Sequence, residues 1–242
     1  MMESMSRRVA LFVSLLLVLS ARPASAQWYI AGFMGLNETF PADVRVDRGP
    51  GTSLTFHKVE FEAKPMSAPP YFGGRFGRLF GPDRRFGVEF EFLHTKVIAL
   101  TNVAYQVSGT ANNIAIDQVV PMNTLVERYR MTHGLNFLLG NLVARLPLGD
   151  GRFTFGARGG AGLTRPHGET TIGGVVQEQY EWGGLGAQGA AGLDGRLFGK
   201  VSAFGEYKVT YAKPEIALAG GTGRMTAIGQ QFTFGLAIGW AR

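Results

Sequence analysis

Residues 86–97, FGVEFEFLHTKV, alternate between two kinds of side chain almost without error. Phe86, Val88, Phe90 and Phe92 fall on one face of an extended chain, and Gly87, Glu89 and Glu91 on the other. Period-two alternation predicts a β-strand with two unlike faces. In a soluble sandwich the aromatic face turns into the core and the carboxylates into water. In a membrane barrel the aromatic face turns out to lipid and the carboxylates into the lumen. The strand alone fits both arrangements.

Seven further segments behave in the same way. QWYIAGFMGL (27–36) is aromatic-rich, and its two faces are not cleanly distinguished. YFGGRFGRLF (71–80) sets Phe72, Phe76 and Phe80 against Tyr71, Gly73, Arg75 and Gly77. YRMTHGLNFLLGNLVARL (129–146) sets Tyr129, Met131, Leu135, Phe137, Leu139 and Val143 against Arg130, Thr132, Gly134, Asn136 and Gly140. In 152–164, Phe153, Phe155, Ala157, Ala161 and Leu163 oppose Thr154, Gly156, Arg158 and Gly160. The weaker segment 180–193 opposes Leu185, Ala187, Ala191 and Leu193 to Gly184, Gly186, Gln188 and Ala190. In 201–212, Val201, Ala203, Tyr207, Val209 and Tyr211 oppose Ser202, Phe204, Glu206, Lys208 and Thr210. In 230–240, Phe232, Phe234, Leu236, Ile238 and Trp240 oppose Gln231, Thr233, Gly235, Ala237 and Gly239.

Most of these segments reach the ~9–11 residues that a tilted strand needs to cross a bilayer. Their connections alternate between long (37–70, 98–126, 165–179, 213–229) and short (81–85, 147–151, and around Gly195–Lys200). Short turns at one end and long loops at the other are the layout of outer-membrane barrels. The start of the chain agrees. Arg7 and Arg8 precede the apolar run 9–20, and ARPASA ends in Ala24-Ser25-Ala26. This predicts a secretory signal over 1–26, cleaved before Gln27, and a single barrel domain over 27–242. Cysteine is absent, so thiolate chemistry is excluded and stability must come from burial or a closed ladder. The formal charge of +6 is spread without a Lys/Arg run, which gives no footprint for nucleic acid.

The 35 glycines choose between lipid and water. They cluster on the polar faces, at Gly73, Gly77, Gly87, Gly134, Gly156, Gly160, Gly184, Gly235 and Gly239. A narrow eight-stranded barrel must fill its interior with side chains. Glycine beside large charged residues suits that space, whereas glycine on an exposed strand face only weakens it. The reading is an all-β, eight-stranded, antiparallel up-and-down transmembrane β-barrel in the outer membrane, without an open pore. Its lumen is expected to hold a charge network of Arg75, Glu89, Glu91, Arg128, Arg130, Arg158, Glu206 and Lys208. Trp28, Tyr29, Phe80, Phe86, Phe153 and Trp240 are expected at the inner rim, and Tyr129, Tyr180, Trp182 and Tyr211 at the outer rim. The chain ends Trp240-Ala241-Arg242 rather than on the usual aromatic residue.

Several strings resemble a narrower group, the lipid A oxidase-like barrels of Gram-negative bacteria: APPYFGGRF (68–76), FGVEFEFLHTKV (86–97), MTHGLNFLLGN (131–141), EWGG (181–184) and FGEYKVTYA (204–212). The resemblance implies oxygen-dependent conversion of the proximal glucosamine of lipid A to 2-aminogluconate, and it carries no catalytic residues with it. From the residues themselves, His94 and His133 lie on neighbouring strands near the outer rim with lipid-facing parity. They are the candidate catalytic groups, since histidine moves protons and binds metals. Glu89 and Glu91 lie on the opposite face, so no metal triad is legible and the cofactor is unknown. His57 and His167 read as solvated loop residues. GGTGR (220–224) lacks the Lys-Ser/Thr and the helix of a phosphate loop, GLGAQGAAG (184–192) is strand glycine, and no Ser/His/Asp arrangement stands out. Three functions follow: a non-channel barrel with a structural or surface-interaction role, a lipid A-modifying enzyme, or a soluble lipocalin-like ligand binder. The first two imply outer-membrane lipid and lipopolysaccharide as surroundings. They also imply periplasmic chaperones and barrel-assembly machinery as folding partners, and a monomer.

Overall fold

The computed structural model describes residues 27–241, so the expected signal segment lies outside the described residues. The described residues form sixteen strands: β1 (Gln27–Thr39), β2 (Ala42–Arg48), β3 (Thr52–Val59), β4 (Phe61–Glu62), β5 (Phe72–Phe80), β6 (Phe86–Ala99), β7 (Ala104–Ala111), β8 (Ile114–Pro121), β9 (Arg128–Leu148), β10 (Phe153–Ile172), β11 (Val175–Tyr180), β12 (Leu185–Phe198), β13 (Val201–Ala212), β14 (Glu215–Leu218), β15 (Gly221–Met225) and β16 (Ala227–Ala241). Eight of them, β1, β5, β6, β9, β10, β12, β13 and β16, pair antiparallel with their neighbours around a closed ring. The ring shuts where β1 meets β16, with Trp28 opposite Trp240 and Phe33 opposite Gly235. Closure leaves no free edge in the barrel wall, so every wall strand has its backbone groups paired on both sides.

The alternation seen in the sequence becomes the two faces of this wall. Ile30, Phe76, Phe90, Phe155, Leu185, Phe232 and Leu236 stand on the outside, 42–73 % exposed. Arg75, Glu89, Glu91, Gln188, Glu206, Lys208 and Thr233 stand inside and are buried. Glycine sets the bore at two places. A Cβ at Gly73 would overlap the Phe33 ring, and one at Gly235 would fall 2.7 Å from the Phe204 ring. These two aromatic side chains therefore enter the lumen only because the facing strands carry hydrogen there.

One strand runs against its expected orientation. On β9, Leu135, Phe137, Leu139 and Val143 point inward and are buried, whereas Leu142 and Leu146 face out, 73 % and 53 % exposed. This strand is apolar on both faces, so alternation could not orient it. The packing decides, because the outer half of the lumen is filled with apolar side chains. Phe137, for example, occupies the space left by Gly186. Tyr129, expected at the outer rim, is buried in the same core, and Tyr29 turns inward to the Glu89 carboxylate.

Three of the long connections, 37–70, 98–126 and 213–229, supply a second, six-stranded sheet in the order β14-β15-β2-β3-β7-β8, and the fourth, 165–179, extends β10 and pairs it with β11. The inner face of the second sheet carries Val44, Val46, Leu54, Phe56, Tyr105, Val107 and Leu218. These residues share one core with Leu135, Phe137 and Tyr129 of β9, so the sheet packs against the mouth of the barrel. These strands are not legible in the alternation of the sequence because each is short, at 4–8 residues, and interrupted by turns.

Candidate functional site

The lumen holds three carboxylates and three cations in mutual contact. Arg75 Nε lies 3.2 Å from Glu91 Oε2, and its Nη2 donates to Glu206 Oε1. Arg158 bridges Glu89 at 2.7 Å and Glu206 at 2.8 Å. Lys208 pairs with Glu91. Neutral donors add to these carboxylates: Tyr29 Oη donates to Glu89 at 2.6 Å, Asn141 Nδ2 to Glu89 at 2.8 Å and Gln188 Nε2 to Glu91 at 2.7 Å. The Arg75 guanidinium also lies 4.5 Å from the Phe33 ring centre and 5.1 Å from that of Phe204. Below this plug, a cavity of about 640 Å³ at the short-turn end is lined by Arg84, Arg145, Arg152 and Asp194 and ends on Arg75 and Arg158. Arg128 and Arg130 do not join the network. The register sets Glu89 opposite Asn141 and Glu91 opposite Leu139, leaving Arg130 further along the strand opposite Ile98. Arg130 pairs instead with Glu169 at 2.7 Å, and Arg128 with Glu178 at 3.4 Å.

A second cluster lies at the outer end of β9 and β10. On β10 the outward parity of Phe153 to Leu163 continues through Arg165, His167 and Glu169. On β9 the register slips between Leu135 and Arg130, where four residues oppose the two residues His167 and Gly168. This bulge re-aims His133 onto the same face, a use to which bulges are often put beside functional sites. His133 Nδ1 lies 3.1 Å from Glu169 Oε1, and His167 Nδ1 lies 3.6 Å from the same oxygen. The rings of His133 and His167 meet edge-on at 4.8 Å, and Tyr180 covers His167 at 4.4 Å. Arg165 stacks over both Tyr180 and Trp182. Glu169 is 2 % exposed, and Arg130 Nε holds its other oxygen.

Burial of Glu169 opposes its ionisation. The hydrogen bonds from Thr132 and His133 and the charge of Arg130 outweigh that burial and hold its pKa down to about 2. A carboxylate depressed in the folded state contributes stability above its unfolded pKa and loses it as pH falls through the folded value. Glu169→Gln should therefore flatten the acid limb of the stability–pH profile between about pH 4.5 and 2. Denaturant midpoints measured at several pH values check this, and an unchanged limb would count against the pairing.

His94 is not part of this cluster. It has the outward parity expected of it but is 4 % exposed, with Phe72 stacked on its ring at 5.1 Å and Asn136 Oδ1 at 2.9 Å from Nδ1. It is a packed residue of the wall. His167, read from sequence as a solvated loop residue, lies in β10 and is largely buried. The sheet also forms a Ser/His/Asp row that the sequence did not suggest: Ser108 Oγ lies 2.8 Å from His57 Nε2, and Asp43 lies 3.3 Å from Nδ1. Asp43 is 57 % exposed at its side chain, so the row lacks the buried carboxylate that orients a catalytic histidine.

The outer wall between the two rims carries a continuous apolar band. Ile30, Met34, Leu36, Phe72, Phe76, Phe90, Leu142, Phe155, Leu163, Leu193, Phe232 and Phe234 are all exposed. A water-soluble barrel would leave this whole band wetted. Arg75, Glu89, Glu91, Arg158, Glu206 and Lys208 lie inside, each paired with an opposite charge. The protein is a membrane-spanning β-barrel. Its short turns at one end and long connections at the other are those of an outer-membrane barrel, and the outer membrane is its location. Among the described residues no helix is long and apolar enough to cross a membrane. The exposed apolar band does not fit the soluble lipocalin-like alternative.

No family model matches the sequence, and no curated protein matches it significantly. Similar solved structures include the outer membrane protein OprG from Pseudomonas aeruginosa, 12 % identical, with a TM-score of 0.45 over 90 % of this chain and 97 % of that one. The outer membrane protease OmpT from Escherichia coli is 8 % identical, with a TM-score of 0.45 over 90 % of this chain and 97 % of its own. The outer membrane protein AlkL is 11 % identical, with a TM-score of 0.43 over 92 % of this chain and 94 % of its own. At such similarity these structures say nothing of activity, and the closed ladder defines the barrel without them.

Proposed function

We propose that the protein is a non-conducting outer-membrane barrel that modifies the sugar head group of outer-leaflet lipid A, by oxidising its proximal glucosamine to 2-aminogluconate. The observation that carries this reading is the position of His133, His167 and Glu169. They lie on the outward face of the wall, about four residues beyond Leu163, or roughly 13 Å further along the strand at ~3.3 Å per residue. Tyr180 and Trp182 beside them are of the kind that marks the membrane–water interface. Arg165 supplies a cation for an anionic head group. In the oxidation, C1 of the sugar loses two electrons and two protons to dioxygen, which becomes hydrogen peroxide. Water then opens the resulting lactone to the acid. His133, His167 and Glu169 are the groups that would meet the sugar at C1.

Mass spectrometry of lipid A from cells with and without the gene, grown with oxygen, tests the reading. Aminogluconate should appear only with the gene. It should be lost, tenfold or more, in His133→Ala and His167→Ala, and retained in His94→Ala. Unmodified lipid A in cells overproducing the folded wild type would end the oxidase reading. A surface-interaction role has one observation in its favour: β8 is a free edge of the external sheet and exposes Ile114 and Val119 at 70 % and 64 %. Such an edge can accept a strand from another protein.

A further inference from the structure

We infer that His133, His167 and Glu169 form a binding site for a single divalent first-row transition-metal ion. Each residue offers one ligand atom, and these atoms lie within 4.8 Å of one another. Metal bonds of ~2.0–2.2 Å place neighbouring ligand atoms roughly 3–3.5 Å apart. The two histidine Nδ1 atoms lie 3.1 and 3.6 Å from Glu169 Oε1, so an ion could be held with small adjustments. A second observation points the same way. His167 Nδ1 is buried and makes no hydrogen bond, an uncommon condition for a buried polar atom. It is turned toward the other two ligand atoms, where a cation would satisfy it.

The surroundings are those of a supported ligand set. Arg130 Nε fixes Glu169 Oε2 at 2.7 Å, and Thr132 donates to Oε1 through both its backbone N–H, at 3.2 Å, and its hydroxyl. Partners of this kind orient ligating carboxylates and are a common part of metal sites. The carboxylate would bind through one oxygen only, since Arg130 keeps the other. Two imidazoles and one carboxylate select iron, cobalt, nickel, zinc or manganese over calcium and magnesium, which prefer all-oxygen sites. Three protein ligands leave further positions open, and the 59 % exposure of the His133 side chain puts them toward the outside. Two histidines and one carboxylate with open positions is an arrangement used for oxygen chemistry at iron. The site itself is proposed whether or not lipid A is the substrate.

The test uses the full-length mature barrel without an affinity tag, refolded in detergent micelles, treated with EDTA and dialysed. Cobalt(II) is titrated in and followed by its visible absorption, and zinc(II) by calorimetry. One equivalent of either ion should bind. His133→Ala and His167→Ala should each weaken binding tenfold or more, while His57→Ala, on the external sheet, should not change it. Heat-modifiable migration on gels shows that each variant is folded. Absence of saturable binding by the folded wild type overturns the site, as does undiminished binding in the His133→Ala/His167→Ala double variant. No lipid A is present in the titration, so its failure and the failure of the oxidase reading are read separately.

Discussion

Arg75→Ala is expected to destabilise the folded barrel by about 3–5 kcal/mol, the cost typical of removing one partner from a buried ion pair. Arg75 is 3 % exposed and sits among Glu89, Glu91 and Glu206. Without it three carboxylates share only Arg158 and Lys208, and one negative charge is left unbalanced away from water. The phenyl rings of Phe33 and Phe204 also lose the planar cation between them. Lysine should restore little, because an ammonium cannot lie flat between two rings while bridging two carboxylates. Adding Glu206→Gln to Arg75→Ala should recover part of the loss by removing the excess charge, which a double-mutant cycle would show. Urea unfolding in lipid vesicles measures the effect. A loss below about 1 kcal/mol would mean that water enters the lumen and screens these charges as it does surface pairs. Planar-bilayer recordings on the same variant show whether the plug also closes the barrel to ions.

Phe90→Arg is expected to cost about 2–4 kcal/mol, the penalty for a cation on the lipid face near mid-bilayer. Phe90 is 53 % exposed on the outer wall and pairs across the strands with Phe76 on one side and Gly140 on the other. An arginine there has no carboxylate within the band to meet. Its neighbour Glu91 points the other way and is fully buried. Spin labels at the two positions separate the faces without relying on stability. Position 90 should respond to a lipid-soluble quencher and position 91 should not. The reverse pattern would require the whole strand to be rotated, since a shift of one residue moves every side chain to the opposite face.

The candidate site was only half legible in the sequence. His133 is legible as a candidate, but an unbroken count along 129–146 does not contain the bulge that turns it outward, which is a matter of pairing with β10. The sequence reads His167 as a loop residue within the connection 165–179, where Pro166 and Gly168 interrupt the alternation. A signal was available. Leu163, Arg165, His167 and Glu169 keep the spacing of two that begins at Phe153, so the strand could have been carried further. Arg128 and Arg130 were misplaced for a related reason. Shared parity puts charges on one face of the sheet without saying at what height, and height depends on register between strands.

What the sequence determined by itself was local: that the segments are strands, which face of most of them is apolar, and that charge and glycine must share a confined interior. These follow from side chains alternating every residue along an extended chain, which requires no knowledge of the partner strand. The tertiary structure decided what depends on distant residues. It placed Phe137 and Leu139 inside rather than outside, because the space opposite them was free. It folded most of the long connections into a sheet, because six of their short strands pair with one another rather than with the wall. It brought His133, His167 and Glu169 together through a slip in pairing between β9 and β10. Such a slip is set by packing and ladder closure around the whole barrel, and it leaves no mark on the periodicity of either strand alone.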